Sequence, residues 1–262
     1  MPKRFAFAIA VLLASIPVAA QKRRSVAPQP VGAEQRILFI GNSLTEGNDL
    51  PSIVCRLAAA GRHNAKCESV TGGGFALEDH FADGRALRKL EDERWSIVVL
   101  QQGPSALDES RVNLREWTAK FNTLITASGA RAALFAVWPE KARSRDFPRV
   151  SDSYHLAAND VGGLFFPAGD AWLAAWRRDP TLPLYGGDNF HPSPAGSYLA
   201  ALTIYRVIFG DLPPVFADRG FAAAAAGTDL GLDEAHLAML IASAEEASVE
   251  TATIRVARQP LE

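Results

Sequence analysis

Ser43, Asp188 and His191 are residue types that together perform nucleophilic catalysis by a hydroxyl group. A neutral serine is a poor nucleophile, so it needs a base within hydrogen-bond reach. An imidazole base in turn needs an acidic group to fix its tautomer and stabilise its charged form. Asp188 and His191 stand three residues apart in Asp188-Asn189-Phe190-His191-Pro192, which lets one loop turn present both with the carboxylate behind the ring. Ser43 follows an apolar run in Gly41-Asn42-Ser43-Leu44. Such a set would carry an acyl group on the serine and pass it to water or another acceptor. His63, His80, His155 and His236 fall on or beside helical stretches and are expected as surface or half-buried side chains.

These residues need a scaffold that brings distant loops to one edge. Ile37-Leu38-Phe39-Ile40 reads as a strand buried on both faces, as a parallel sheet covered by helices requires. Gly41 should give the turn its conformational freedom, Asn42 should accept left-handed geometry, and Ser43 then stands at the carboxyl end of the strand. That is where open α/β sheets bind ligands. Asp49 is expected to cap a helix with Pro51 in its first turn, ending near Ala60. Further strand-like runs occupy residues 66–70, 95–100, 132–138 and 163–166. Helical patterns occupy 76–89, 109–127, 151–160, 170–177 and 195–208, and a final helix starts at Asp233 and closes the core. The alternation predicts an α/β fold with a parallel sheet covered on both faces.

Two more loops end strands on the serine's edge. Gly72-Gly73-Gly74 can bring a backbone N–H to a reacting oxygen, and Gln101 and Gln102 offer side-chain amides. The plain alternative is that the glycines make a turn and the glutamines hold the loop backbone. The chain has no Gly-x-Gly-x-x-Gly or Gly-Lys-Ser/Thr pattern for phosphates. Nor does it have a Gly-x-Ser-x-Gly elbow, which argues against an α/β-hydrolase.

The 262 residues are 48% hydrophobic, enough for a full core in one domain, and a net charge of −2 with scattered basic residues offers no nucleic-acid face. Residues 1–20 have the basic start, apolar run and Val18-Ala19-Ala20 ending of a secretory signal peptide, cut before Gln21. Residues 21–34 read as a flexible linker, 35–252 as the folded domain with its C-terminal helices, and 253–262 as a tail. The expected location is periplasmic or secreted, with no stable membrane insertion after cleavage. Cys55 and Cys67 then meet an oxidising compartment, either as a disulfide or as two buried thiols. No His pair beside them has zinc-ligand spacing.

The motifs Gly41-Asn42-Ser43-Leu44, Gly74 within Gly72-Gly73-Gly74-Phe75-Ala76-Leu77, and Asp188-Asn189-Phe190-His191 resemble those of the SGNH/GDSL esterase family, in the same order, over residues 36–208. The resemblance implies a three-layer α/β/α sandwich with a flavodoxin-like parallel sheet, Ser43 as nucleophile, His191 as base and Asp188 as its partner. It implies no metal and no organic cofactor. The third motif departs from the family's Gly-x-Asn-Asp: Gln102-Gly103-Pro104-Ser105 looks more like the Gln-Gly-Glu-Ser variant of some carbohydrate acetylesterases. The oxyanion hole is therefore expected at the N–H groups of Ser43 and Gly74 and the side-chain amide of Gln102. The expected activity is deacylation of a carbohydrate or similar small ester, with an O-acyltransferase or a non-catalytic glycan-binding protein as alternatives on the same fold.

Overall fold

The computed structural model describes residues 33–257; the expected signal peptide and all but the last two residues of the expected linker lie outside them. Among the described residues five strands form one sheet: β1 (Gln35–Gly41), β2 (Ala65–Thr71), β3 (Ile97–Leu100), β4 (Arg131–Phe135) and β5 (Leu164–Phe166). Their order is β2-β1-β3-β4-β5, with every neighbouring pair parallel. This is the flavodoxin-like order, in which the chain leaves β1 in one direction and β3 in the other, opening a crevice between their carboxyl ends.

The helices that accompany the sheet are α1 (Ser43–Glu46), α2 (Leu50–Ala60), α3 (Leu77–Asp83), α4 (Arg85–Asp92), α5 (Asp108–Ala127), α6 (Phe147–Val161), α7 (Ala168–Arg178), α8 (Pro194–Phe209), α9 (Arg219–Ala226) and α10 (Glu234–Ala257). Helices α2 and α8 pack together, as do α5 and α6, forming the two helical layers of the expected three-layer sandwich. Helix α10 closes over α7 and α8. The core strands Ile37–Ile40 and Val98–Leu100 are essentially inaccessible to solvent, as their unbroken apolar runs require.

Several local expectations are corrected. The stretch 76–89 is two helices because Gly84 takes φ 77°, a left-handed stop that ends α3 and starts α4. Asp49 makes no capping bond to α2; it and Asn48 are both left-handed, with φ of 52° and 55°. Asn42, expected to be left-handed, is extended with φ −116° and caps α1 through its side chain. Of the two states left open for the cysteines, Cys55 on α2 and Cys67 on β2 take the disulfide, with Cα atoms 5.9 Å apart.

Candidate active site

The chain leaves β1 at Gly41 and turns at once into α1. Asn42 Oδ1 accepts from the Leu44 N–H at 3.1 Å, which fixes the helix start and sets Ser43 as its first residue. Gly41 is needed for room. A Cβ there would lie 2.4 Å from both Gln101 Oε1 and Thr45 Oγ1, closer than real side chains approach.

The second part of the site arrives from the far end of the fold. Asp188 Oδ1 accepts from the backbone N–H groups of Phe190 and His191 at 3.0 and 2.9 Å, and Asn189 takes φ 58° to close the turn. The loop is fastened to the connection after β4: Trp138 Nε1 donates to Phe190 O at 3.0 Å, and Lys141 N–H to Asn189 O at 2.9 Å. Trp138 is itself stacked on Trp172, with ring centroids 3.8 Å apart. A rigid aromatic floor therefore supports the exposed turn.

The two parts meet. Ser43 Oγ lies 2.9 Å from His191 Nε2, and His191 Nδ1 lies 2.5 Å from Asp188 Oδ2. With Nδ1–H donating to the carboxylate, Nε2 carries the lone pair and accepts from the serine hydroxyl. The bond from the imidazole, followed by those from the two backbone N–H groups, holds the Asp188 carboxyl down at about 2, so it is ionised at neutral pH. Asn48 ties the halves together: its Nδ2 donates to Pro192 O at 3.1 Å and to Ser197 Oγ at 2.9 Å. Its left-handed backbone is thus held by partners on the histidine loop and on α8.

The Gly72–Phe75 loop borders the same turn, with Asn42 Nδ2 donating to Phe75 O at 3.1 Å. Gly74 has φ 73° and open space where a side chain would be. Ser43 N–H and Gly74 N–H have no acceptor among the described residues. Gln102 is arranged differently from expectation. Its Oε1 accepts from Leu77 N–H at 3.2 Å, and Nε2 donates to Ser105 Oγ at 2.9 Å and Asn113 Oδ1 at 3.4 Å. Both amide hydrogens already have acceptors, so the side chain braces the start of α3 and holds no free donor for a substrate oxygen. Tyr154 fixes the same residue's backbone, accepting from Gln102 N–H at 3.0 Å and donating to Gln102 O at 2.5 Å; burial pushes its phenol well above the usual range.

His80 is fully buried, contrary to expectation, with Nε2 2.8 Å from Gly41 O and its ring edge against Phe75. Desolvation is the largest cause of its lowered pKa and favours the neutral ring. Its placement behind the serine turn carries no local sequence signal, since the position is one of several polar residues on α3. The remaining histidines sit away from the Ser43 contact. His63 stacks on Phe209, His155 lies against Phe165, and His236 pairs with Asp179 and Asp233.

No family model and no curated protein matches the chain, but solved structures do. A protein from Slackia heliotrinireducens assigned to the SGNH hydrolases matches at 29% identity with a TM-score of 0.56, over 67% of this chain and 100% of its own. A DUF4886 family protein from Bacteroides uniformis matches at 19% identity with a TM-score of 0.68, over 83% and 95%. A single-residue variant of an acetyl xylan esterase from Geobacillus stearothermophilus matches at 16% identity with a TM-score of 0.53, over 68% and 96%. The class that the fold defines is the SGNH hydrolase sandwich. At 29% identity over the whole of the Slackia protein, together with the shared fold, the chain is similar to the SGNH hydrolases, which supports an SGNH/GDSL-type carboxylic ester hydrolase.

Proposed function

We propose that the protein is an exported serine esterase that removes a short acyl group, acetyl above all, from a carbohydrate or similar small ester. The observation that carries the reading is the unbroken relay from Ser43 Oγ through His191 to Asp188, at 2.9 and 2.5 Å. Ser43 Oγ attacks the ester carbonyl carbon while His191 Nε2 takes its proton, and Asp188 stabilises the imidazolium without becoming protonated. The carbonyl oxygen, now an anion, lies against the N–H groups of Ser43 and Gly74. His191 returns the proton to the leaving alcohol, leaving an acyl-Ser43. Water then attacks that ester with His191 again as base, restoring the serine and releasing the acid.

The His191 and Asp188 side chains are 43% and 53% exposed, so water reaches the acyl-enzyme freely, which favours hydrolysis over transfer to a second alcohol. Preference for acetylated carbohydrate rests on the third motif's likeness to carbohydrate acetylesterases. Export rests on the signal-like residues 1–20 and is supported by the Cys55–Cys67 disulfide, a bond that persists in oxidising compartments. No helix among the described residues is long and apolar enough to cross a membrane.

The test is hydrolysis of a chromogenic acetyl ester and release of acetate from acetylated oligosaccharides by the purified protein. Ser43→Ala is expected to abolish both with an unchanged circular dichroism spectrum, and a serine-reactive phosphonate should label Ser43 alone. Full turnover by Ser43→Ala would refute the mechanism. Product assays with added acceptor alcohols would expose an acyltransferase, and a folded wild-type protein inert in every assay would indicate a glycan-binding role.

A further inference from the structure

Gln101 is completely buried, and three of the four hydrogen bonds its carboxamide makes go to the segment around Ser43. Oε1 accepts from Asn42 N–H at 2.8 Å and from Thr45 Oγ1–H at 2.7 Å. Nε2 donates to Asn42 Oδ1 at 2.9 Å and to Gln102 O at 2.6 Å. The backbone N–H donor fixes which end of the amide is oxygen, so the assignment of all four bonds follows from the network. Neither amide hydrogen is left for a substrate.

The partners are not scattered. Asn42 precedes Ser43, and Thr45 lies two residues after it on α1, its side chain also fully buried. One side chain from the end of β3 thus grips the nucleophile turn on both sides of the serine. Asn42, held in this way, also caps Leu44 N–H and reaches Phe75 O beside Gly74. The same grip therefore governs the direction of Ser43 Oγ and the spacing between the Ser43 and Gly74 N–H groups.

We propose that Gln101 is the positioning residue of the nucleophile: it acts through Asn42 and Thr45 to aim Ser43 and never touches the substrate. This rests on the reading of Ser43 as nucleophile. The missing side chain at Gly41 is the counterpart of the arrangement, because the Gln101 carboxamide occupies the space a Cβ would take. Positional errors of about 1 Å near a reacting centre cost on the order of 10²-fold in rate, whereas ground-state binding by remote contacts is untouched.

The experiment measures kcat and KM for a chromogenic acetyl ester in Gln101→Leu, Thr45→Val, the double variant and Thr45→Ser, with thermal unfolding of each. Gln101→Leu should lower kcat by on the order of 10²-fold with KM changed less than about twofold. Thr45→Val should lower kcat by a smaller factor, and Thr45→Ser, which keeps the hydroxyl, should restore it. Because both act through one contact, Thr45→Val should cost less than about twofold on the Gln101→Leu background. Multiplicative losses, a Thr45→Ser as impaired as Thr45→Val, or normal kcat in Gln101→Leu would each overturn the proposal. If Gln101→Leu does not fold, the Thr45 pair decides alone: equal kcat in Thr45→Val and wild type refutes it. Failure of the underlying reading looks different, since Ser43→Ala would then keep its activity whatever the Gln101 variants do.

Discussion

Replacing Gly41 by alanine measures how tightly the serine turn is built. The new Cβ would stand 2.4 Å from Gln101 Oε1, 2.4 Å from Thr45 Oγ1 and 3.0 Å from Thr45 Cβ. Both oxygens are buried and joined to each other by the 2.7 Å bond, so neither can retreat into solvent. Forcing a methyl group into a filled interior costs about 1–3 kcal/mol. Pushing Gln101 aside also deprives the Asn42 N–H and the Thr45 hydroxyl of their acceptor, at about 1 kcal/mol each. The sum of about 3–5 kcal/mol is a large part of the ~5–15 kcal/mol that holds a typical domain folded, and it corresponds to a fall in Tm of about 6–20 °C at this size. Thermal denaturation followed by circular dichroism reads the stability, and hydrolysis of a chromogenic acetyl ester reads kcat, which should fall with the displaced turn. Gly73→Ala is the control: it meets nothing within 4 Å and does not require positive φ, so its Tm should match wild type. A Gly41→Ala protein with Tm within about 2 °C of wild type and normal kcat would refute the packing argument.

Three other outcomes follow from the same geometry. Asp188, held at about 2 against an ordinary 3.8, stabilises the fold fully above pH 3.8 and loses that contribution only as pH falls towards 2. Asp188 therefore contributes no acid limb to a kcat/KM profile above pH 3.8, and Asp188→Asn should lower kcat by up to about 10⁴-fold. His80, whose lowered pKa keeps it neutral in the fold, lets the unfolded chain take up a proton first; stability should decline as pH drops below 6.5. Urea midpoints at pH 7 and pH 5 should differ more for wild type than for His80→Gln, and equal differences would exclude His80 as the cause. Reducing the Cys55–Cys67 bond, which closes a segment of sequence separation 12, should remove about 3 kcal/mol, read as a lower urea midpoint after treatment with dithiothreitol.

The strands and helices were legible where one period dominated. Ile37–Ile40 and Val98–Leu100 are apolar without interruption, and burial on both faces leaves no other reading. The Asp188/His191 spacing was legible because a single Asx-type turn satisfies it locally. What the sequence hid depends on partners far along the chain. Gln101 and Gln102 are adjacent and chemically identical, and only the packing of the serine turn on one side and Leu77, Ser105 and Asn113 on the other separates their roles. His80 looks like an ordinary helical histidine until the bare backbone at Gly41 offers it a carbonyl. Asp49 satisfies the usual capping pattern, but Asn48 is drawn to Pro192 and Ser197, and the left-handed pair this creates turns the chain before a cap can form.

Ser43 and His191 are separated by 148 residues, and the loop bearing the histidine is held by α8, which packs on α2 only after most of the chain exists. On the proposed mechanism, a growing polypeptide therefore carries Ser43 for most of its length without the base His191 beside it. Hydrolysis becomes available in the last stage of folding, because closing so long a loop must wait for the contacts that reward it. Catalysis is thus a clock on completion: in refolding, the return of turnover should coincide with the final change in near-ultraviolet circular dichroism and never precede it. Partly folded chains and fragments ending before Pro194 should stay silent towards every ester they meet.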